Sequence, residues 1–187
     1  GPLAVGYLAY AFALDRRLRR PPEPVAVVVL AFATQLPDLV DKPLAWNLGV
    51  LPNGRSLAHS VLVATVVVAV VGAYLASRDR RSVALAFGVG YLSHLVADSY
   101  QAAVTGQWAD LAFLGWPLVP APVSTGPDSI VDRFAALGGE VAAGDVSPFL
   151  AFEFALVVLA LALWASHGFP GPGLLRRVRP RGLWSSE

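Results

Sequence analysis

Long apolar stretches, broken by short polar or proline-rich joints, dominate the chain. Five stand out, at about residues 3–14, 24–36, 57–76, 82–104 and 148–166. The third and fourth approach the roughly 20 residues that cross a bilayer as a helix. The first two are about a dozen residues each, short for a full crossing. The fourth contains His94, Asp98 and Ser99, and the fifth contains Glu153. Pro21, Pro22 and Pro24 punctuate the first junction. Arg78-Asp79-Arg80-Arg81 makes a tight turn between the third and fourth runs, and Pro170-Gly171-Pro172-Gly173 closes the last. Ser82 is placed to cap the fourth helix. The pattern predicts an all-α, polytopic transmembrane bundle of about five helices, forming one domain over residues 1–168. A long outer loop follows over 105–147, with a weak helical pattern at Ser129–Leu137, and a basic cytoplasmic tail over 169–187.

Composition sharpens this picture. Of the 187 residues, 56% are hydrophobic and only 14% charged, with mean hydropathy +0.59. A disordered or nucleic-acid-coating protein is excluded by that balance. A soluble domain of this size needs more polar surface. The net charge of +1 gives no global field for nucleic acid. No cysteine is present, so neither disulfides nor thiolate metal sites arise. No methionine is present either, so the expectation is a start that is missing here or processed.

Arginine placement sets an orientation. Arg16, Arg17, Arg19 and Arg20 follow the first run, and Arg78, Arg80 and Arg81 follow the third. Arg176, Arg177, Arg179 and Arg181 follow the fifth. If every run crosses, all three clusters fall on one face, which the positive-inside rule makes cytoplasmic. The expectation is a multi-pass protein of the plasma membrane with its N-terminus out and C-terminus in. Membrane lipids are its expected surroundings.

Ionisable residues within apolar helices are expensive, so each is a functional hypothesis. Asp38 and Asp41 lie at the outer end of the second run, His59 at the outer start of the third. His94 and Asp98 lie roughly 18 and 24 Å along the fourth, at 1.5 Å per residue. Three helices thus deliver two imidazoles and two or three carboxylates to one membrane depth. His94 and Asp98, spaced i, i+4, share a helix face. Nitrogen and oxygen ligands without sulfur suit a divalent ion, with zinc or manganese favoured. Asp38, His59, His94 and Asp98 are the expected ligands. Asp41 is a candidate general base or second-metal ligand. Arg55 and Lys42 are placed to hold a phosphate or carboxylate of a substrate. Each residue also has a plainer reading: a hydrogen-bonded membrane histidine, a His–Asp contact between helices, a turn aspartate after Pro37.

The ordered set Leu36-Pro37-Asp38-Leu39-Val40-Asp41, then Arg55-Ser56-Leu57-Ala58-His59-Ser60, then Ser93-His94-Leu95-Val96-Ala97-Asp98 resembles the membrane-bound metal-dependent hydrolases, the LexA-regulated inner-membrane family. The resemblance runs from Gly6 to about Pro117 and includes Leu114-Gly115-Trp116-Pro117. The wording Gln35 to Trp46 is similar to archaeal, halophilic members. The resemblance implies an integral membrane metal centre at Asp38, His59, His94 and Asp98, with Asp41 as a further ligand. Family members usually carry a histidine before the stretch seen here as Gly6-Tyr7-Leu8; this chain reads Gly1-Pro2-Leu3-Ala4 there.

The leading expectation is a membrane metallohydrolase in which activated water attacks a phosphate ester, lipid or lipid-linked, near the outer surface. Asp41 and Arg55 are its candidate catalytic residues, with Arg55 and Lys42 binding substrate. Two other classes fit the same residues. One is a small transporter or proton relay, and the other a non-catalytic scaffold with a structural metal.

Overall fold

The computed structural model describes residues 1–18, 22–120, 138–139 and 148–172. Among them every regular element is helical and no strand occurs. The elements are α1 (Pro2–Leu18), α2 (Pro24–Ala33), α3 (Leu36–Lys42), a π-helical turn (Pro43–Asn47), α4 (Val61–Ser77), α5 (Arg81–Thr105), a 3₁₀ helix (Trp108–Gly115) and α6 (Pro148–Ser166).

Where elements begin and end differs from expectation in informative ways. The second run stops at Ala33 rather than at 36. Pro37 has no N–H for the carbonyl four residues back, and its ring crowds that carbonyl. Thr34 and Gln35 form a turn, and the helix resumes as α3. The third run starts at Val61, not at 57, because Ser60 is extended and its hydroxyl accepts the Leu62 N–H at 3.2 Å. Residues 57–60 therefore belong to an irregular segment, 48–60. Ser82 does not cap the fourth helix. That helix starts one residue earlier, behind Arg80, and the buried Ser82 Oγ has no hydrogen-bond partner. The stretch expected as an outer loop opens with the 3₁₀ helix. Its remainder over 121–137 and 140–147, including Ser129–Leu137, lies outside the described residues. So do Arg19, Arg20 and the tail from residue 173.

α5 is the central helix, packed against α1, α2 and α4, while α6 lies on α1. Two buried clusters fill the contacts. One joins Tyr7, Tyr10, Leu14, Ala26, Leu30, Val83 and Ala86, toward the end that carries Arg78–Arg81. The other joins Ala33, Ala64, Phe87, Tyr91 and Leu95, on the way to the opposite end. Gly90 lets α2 and α5 approach closely: a Cβ there would sit 2.7 Å from the Leu30 carbonyl oxygen. Gly6 does the same between α1 and α5, where a Cβ would meet Ser93 Oγ at 2.7 Å.

The outer faces of these helices are apolar. Val28, Val66, Val70, Val96, Phe154 and Leu159 are among many large hydrophobic side chains left exposed. Among the described residues, Pro24–Asn47 is the one helical run both long and apolar enough to cross a membrane. Pro2–Leu14, Val61–Ser77 and Leu150–Ser166 are apolar but shorter.

Candidate metal centre

The polar residues singled out in the sequence meet at the end of the bundle away from Arg78–Arg81. α3 supplies Asp38, Asp41 and Lys42, segment 48–60 supplies Arg55 and His59, and α5 supplies His94 and Asp98.

Asp41 organises the segment before α4. It is fully buried. Its Oδ2 accepts the Ser56 N–H at 2.8 Å and its Oδ1 the Ala58 N–H at 2.8 Å. Oδ2 also accepts the His59 N–H at 3.3 Å and lies 2.8 Å from His59 Nδ1. A loop that would otherwise bury unpaired amides is thus wrapped around one carboxylate. Further ties hold it in place. The Tyr91 hydroxyl donates to the Ala58 carbonyl at 2.7 Å. The Ser60 hydroxyl donates to the Trp116 carbonyl at the end of the 3₁₀ helix. Phe113 of that helix is buried edge-on against the His59 ring, centroids 6.0 Å apart.

His94 is held from the other side. Its Nδ1 lies 2.6 Å from the Thr34 carbonyl oxygen, which the break between α2 and α3 turns out of the helical ladder. A carbonyl can only accept, so His94 Nδ1 carries its proton. His59 Nδ1 faces Asp41 Oδ2, an oxygen that already accepts two backbone N–H groups, so it likewise carries its proton. In the neutral rings, both Nε2 atoms are then bare lone pairs. They face one another at 3.1 Å.

Two carboxylates flank that pair. Asp38 Oδ1 lies 3.6 Å from His59 Nε2 and 3.8 Å from His94 Nε2. Asp98 Oδ2 lies 3.7 and 3.8 Å from the same atoms. Lys42 Nζ braces Asp38 through its other oxygen, Oδ2, at 2.6 Å, and sits 5.8 Å from the Trp46 ring centroid. Arg55 Nε contacts Asp98 Oδ2 itself, at 3.1 Å. Both histidines are buried, whereas Asp38 and Asp98 are partly open.

The donor set fits a metal ion by type and by spacing. A tetrahedral centre with bonds of about 2.0–2.1 Å has ligand–ligand edges of about 3.3–3.4 Å. The edges among Asp38, His59 and His94 are 3.1, 3.6 and 3.8 Å. Each imidazole also offers its remaining N–H to a carboxylate or a backbone carbonyl, which is how metal-binding histidines are usually oriented. At His59, burial opposes the charged ring, but the hydrogen bonds to Asp38 and Asp41 and the nearby Asp98 charge outweigh it. The ring is held above the ordinary histidine range. In the absence of a metal ion, a proton is thus attracted to the same place.

Sequence reasoning did not single out Thr34, Phe113 or Tyr91. Pro37 was the available signal for Thr34, since a proline frees the carbonyls of the turn before it. Phe113 and Tyr91 had no local signature, because apolar helices are full of aromatics. Ser93 donates to the Gly90 carbonyl at 2.8 Å within α5, where α1 crosses at Gly6. His167 lies beyond α6, its Nδ1 2.9 Å from the Tyr7 hydroxyl.

A family model described as YdjM inner membrane protein matches residues 3–169, a span that holds α1 from Leu3 onward, the other α-helices of the described residues and every residue of the site. No curated protein matches the chain, and no solved structure does.

Proposed function

We propose that this chain, which belongs to the YdjM inner membrane protein family, is a multi-pass membrane metallohydrolase. The observation that carries the reading is the His59–His94 pair. Two lone pairs 3.1 Å apart, flanked by two carboxylates, repel unless a cation lies among them. Asp38, His59 and His94 would hold a divalent ion, zinc or manganese by donor type. Bound there, it would acidify water and polarise an ester oxygen. Asp41 fixes the His59 ring and the loop beneath it. With its oxygens taken by three amides and an imidazole, its part is positioning rather than general base. Lys42 and Arg55 present cationic groups beside the centre for a phosphate ester.

The membrane half of the proposal rests on the apolar outer faces and on the arginines. α1, the run from α2 through the π-helical turn, α4, α5 and α6 are the proposed crossings. The site then lies at the outer surface and Arg78–Arg81 in the cytoplasm. Leu48, Val50, Trp108 and Leu118 stand exposed in the segments around the site. A rim of this kind suits headgroup depth and a lipid or lipid-linked substrate better than a soluble one. The wording of the motifs supports an archaeal-like member.

Elemental analysis of detergent-purified protein, loaded with zinc or manganese and then dialysed, tests the centre. About one ion per chain is expected, with loss in His59→Ala and His94→Ala. Wild-type protein as metal-free as these variants overturns it. Release of phosphate-bearing headgroup from bilayer lipids tests the hydrolase part. A shared proton between the two imidazoles would also relieve the repulsion, and that favours a second reading as a proton relay. It predicts pH-driven flux in liposomes that survives chelation.

A further inference from the structure

Asp38 and Asp98 look equivalent in distance but differ in which oxygen is occupied. Lys42 grips Asp38 by Oδ2, leaving Oδ1 to face the imidazoles. Arg55 grips Asp98 by Oδ2, the same oxygen that faces them. A metal ion bonded to an oxygen already engaged by a guanidinium would sit against that positive charge. The oxygen keeps a lone pair for a hydrogen bond from water. Asp98 is also braced from outside the bundle core: Arg55 is close to half exposed, whereas Asp41 beneath His59 is sealed.

We propose, resting on the metallohydrolase reading, that Asp98 is the general base of the site and not its fourth ligand, and that Arg55 is the positioning residue that holds it there. An ion held by three protein ligands would keep a position for water, as hydrolytic zinc centres do. Asp98 Oδ2, 3.7 and 3.8 Å from the two Nε2 atoms, would then be within reach of that water. In the step it serves, one proton of the water passes to Asp98. The water oxygen forms the new bond to phosphorus, and the bond to the leaving oxygen breaks. The leaving alkoxide then takes the proton back from Asp98. The products are an alcohol and a phosphate ester shortened by one substituent, so atoms and charge balance.

This assignment separates two aspartates that the sequence treats alike. The test compares Asp38→Asn with Asp98→Asn in full-length protein. The readouts are zinc affinity by competition with a chromophoric chelator and hydrolysis of bis(p-nitrophenyl) phosphate. Asp38→Asn is expected to lose zinc affinity by at least about a hundredfold. Asp98→Asn is expected to keep affinity within about threefold and to lose turnover by roughly 10²–10⁴-fold, the usual size of a general-base contribution. Arg55→Gln should keep the zinc and shift the alkaline-to-acid profile of turnover, which a merely structural role would not move. If Asp98→Asn releases zinc as Asp38→Asn does, Asp98 is a ligand and the proposal falls while the metal centre stands. If it keeps both zinc and turnover, the proposal falls as well. If wild-type protein binds zinc but turns over no phosphate diester, the hydrolase reading itself fails. If wild type binds no zinc, the centre fails.

Discussion

Asp41 grips His59 twice, its Oδ2 lying 2.8 Å from the ring Nδ1 and accepting the backbone N–H at 3.3 Å. One carboxylate therefore fixes both where the residue sits and which way its ring points. Asp41→Asn replaces one acceptor oxygen with an NH₂ that meets donors. At least one buried amide loses its partner, at a cost of roughly 1–3 kcal/mol. Metal affinity should fall about 10–100-fold, the usual effect of losing such a support. A lowered thermal midpoint together with weakened zinc binding is the expected pair of results. Unchanged zinc affinity would remove Asp41 from the support of the centre.

Metal should stabilise the fold. A ligand that binds only the folded state adds about 2.7 kcal/mol when its concentration is a hundred times its dissociation constant. Wild-type protein should therefore melt at higher temperature in added zinc or manganese. His59→Ala and His94→Ala should not respond. An equal response in all three proteins would place the effect elsewhere.

The response to pH should reverse with loading. In metal-free protein, His59 is held above its ordinary range despite burial, by Asp38, Asp41 and the Asp98 charge. Its protonated form contributes stability that is fully present below the ordinary histidine value. That contribution is lost as pH rises through the raised one. In loaded protein the ring must be neutral, so acid expels the ion and its stabilisation with it. Thermal melts with zinc should lie above those without it near neutral pH and merge with them in acid. Parallel curves would contradict the assignment of His59.

Gly90 sets how closely α2 and α5 approach, and through that the Thr34–His94 bond. A Cβ at Gly90 would lie 2.7 Å from the Leu30 carbonyl and 3.0 Å from the Ala33 Cβ. Gly90→Ala should force the two helices apart and destabilise by roughly 1–3 kcal/mol. Zinc affinity should fall as well, since His94 loses its anchor. Destabilisation with full zinc affinity would show that the anchor tolerates the shift.

The absence of native cysteine allows a clean topology test. Leu48→Cys, exposed beside the site, should react with a membrane-impermeant maleimide in intact cells. Ser77→Cys, at the arginine turn, should react only after permeabilisation. The opposite pattern inverts the orientation.

Much of the helical layout was legible because it depends on local composition. A run such as Val61–Ser77 is apolar on every side, and only a helix satisfies its backbone without outside partners. The charged minority was legible for the same reason: Asp38, His59, His94 and Asp98 stand out because their surroundings are apolar. Helix ends were less so. Ser60 reads as one more small residue until its hydroxyl is seen to cap α4 and to hold Trp116.

By itself, the sequence determined an all-helical chain with a handful of costly polar residues on three segments and arginines at the joints. The role of each polar residue came only from the tertiary structure. Spacing cannot reveal that Asp41 is spent on amides, that Thr34 turns its carbonyl to His94, or which oxygen of Asp38 and Asp98 a cation occupies. These facts depend on how α3, segment 48–60 and α5 approach one another. That approach is fixed by contacts such as Gly90 on Leu30, which join residues far apart in the chain.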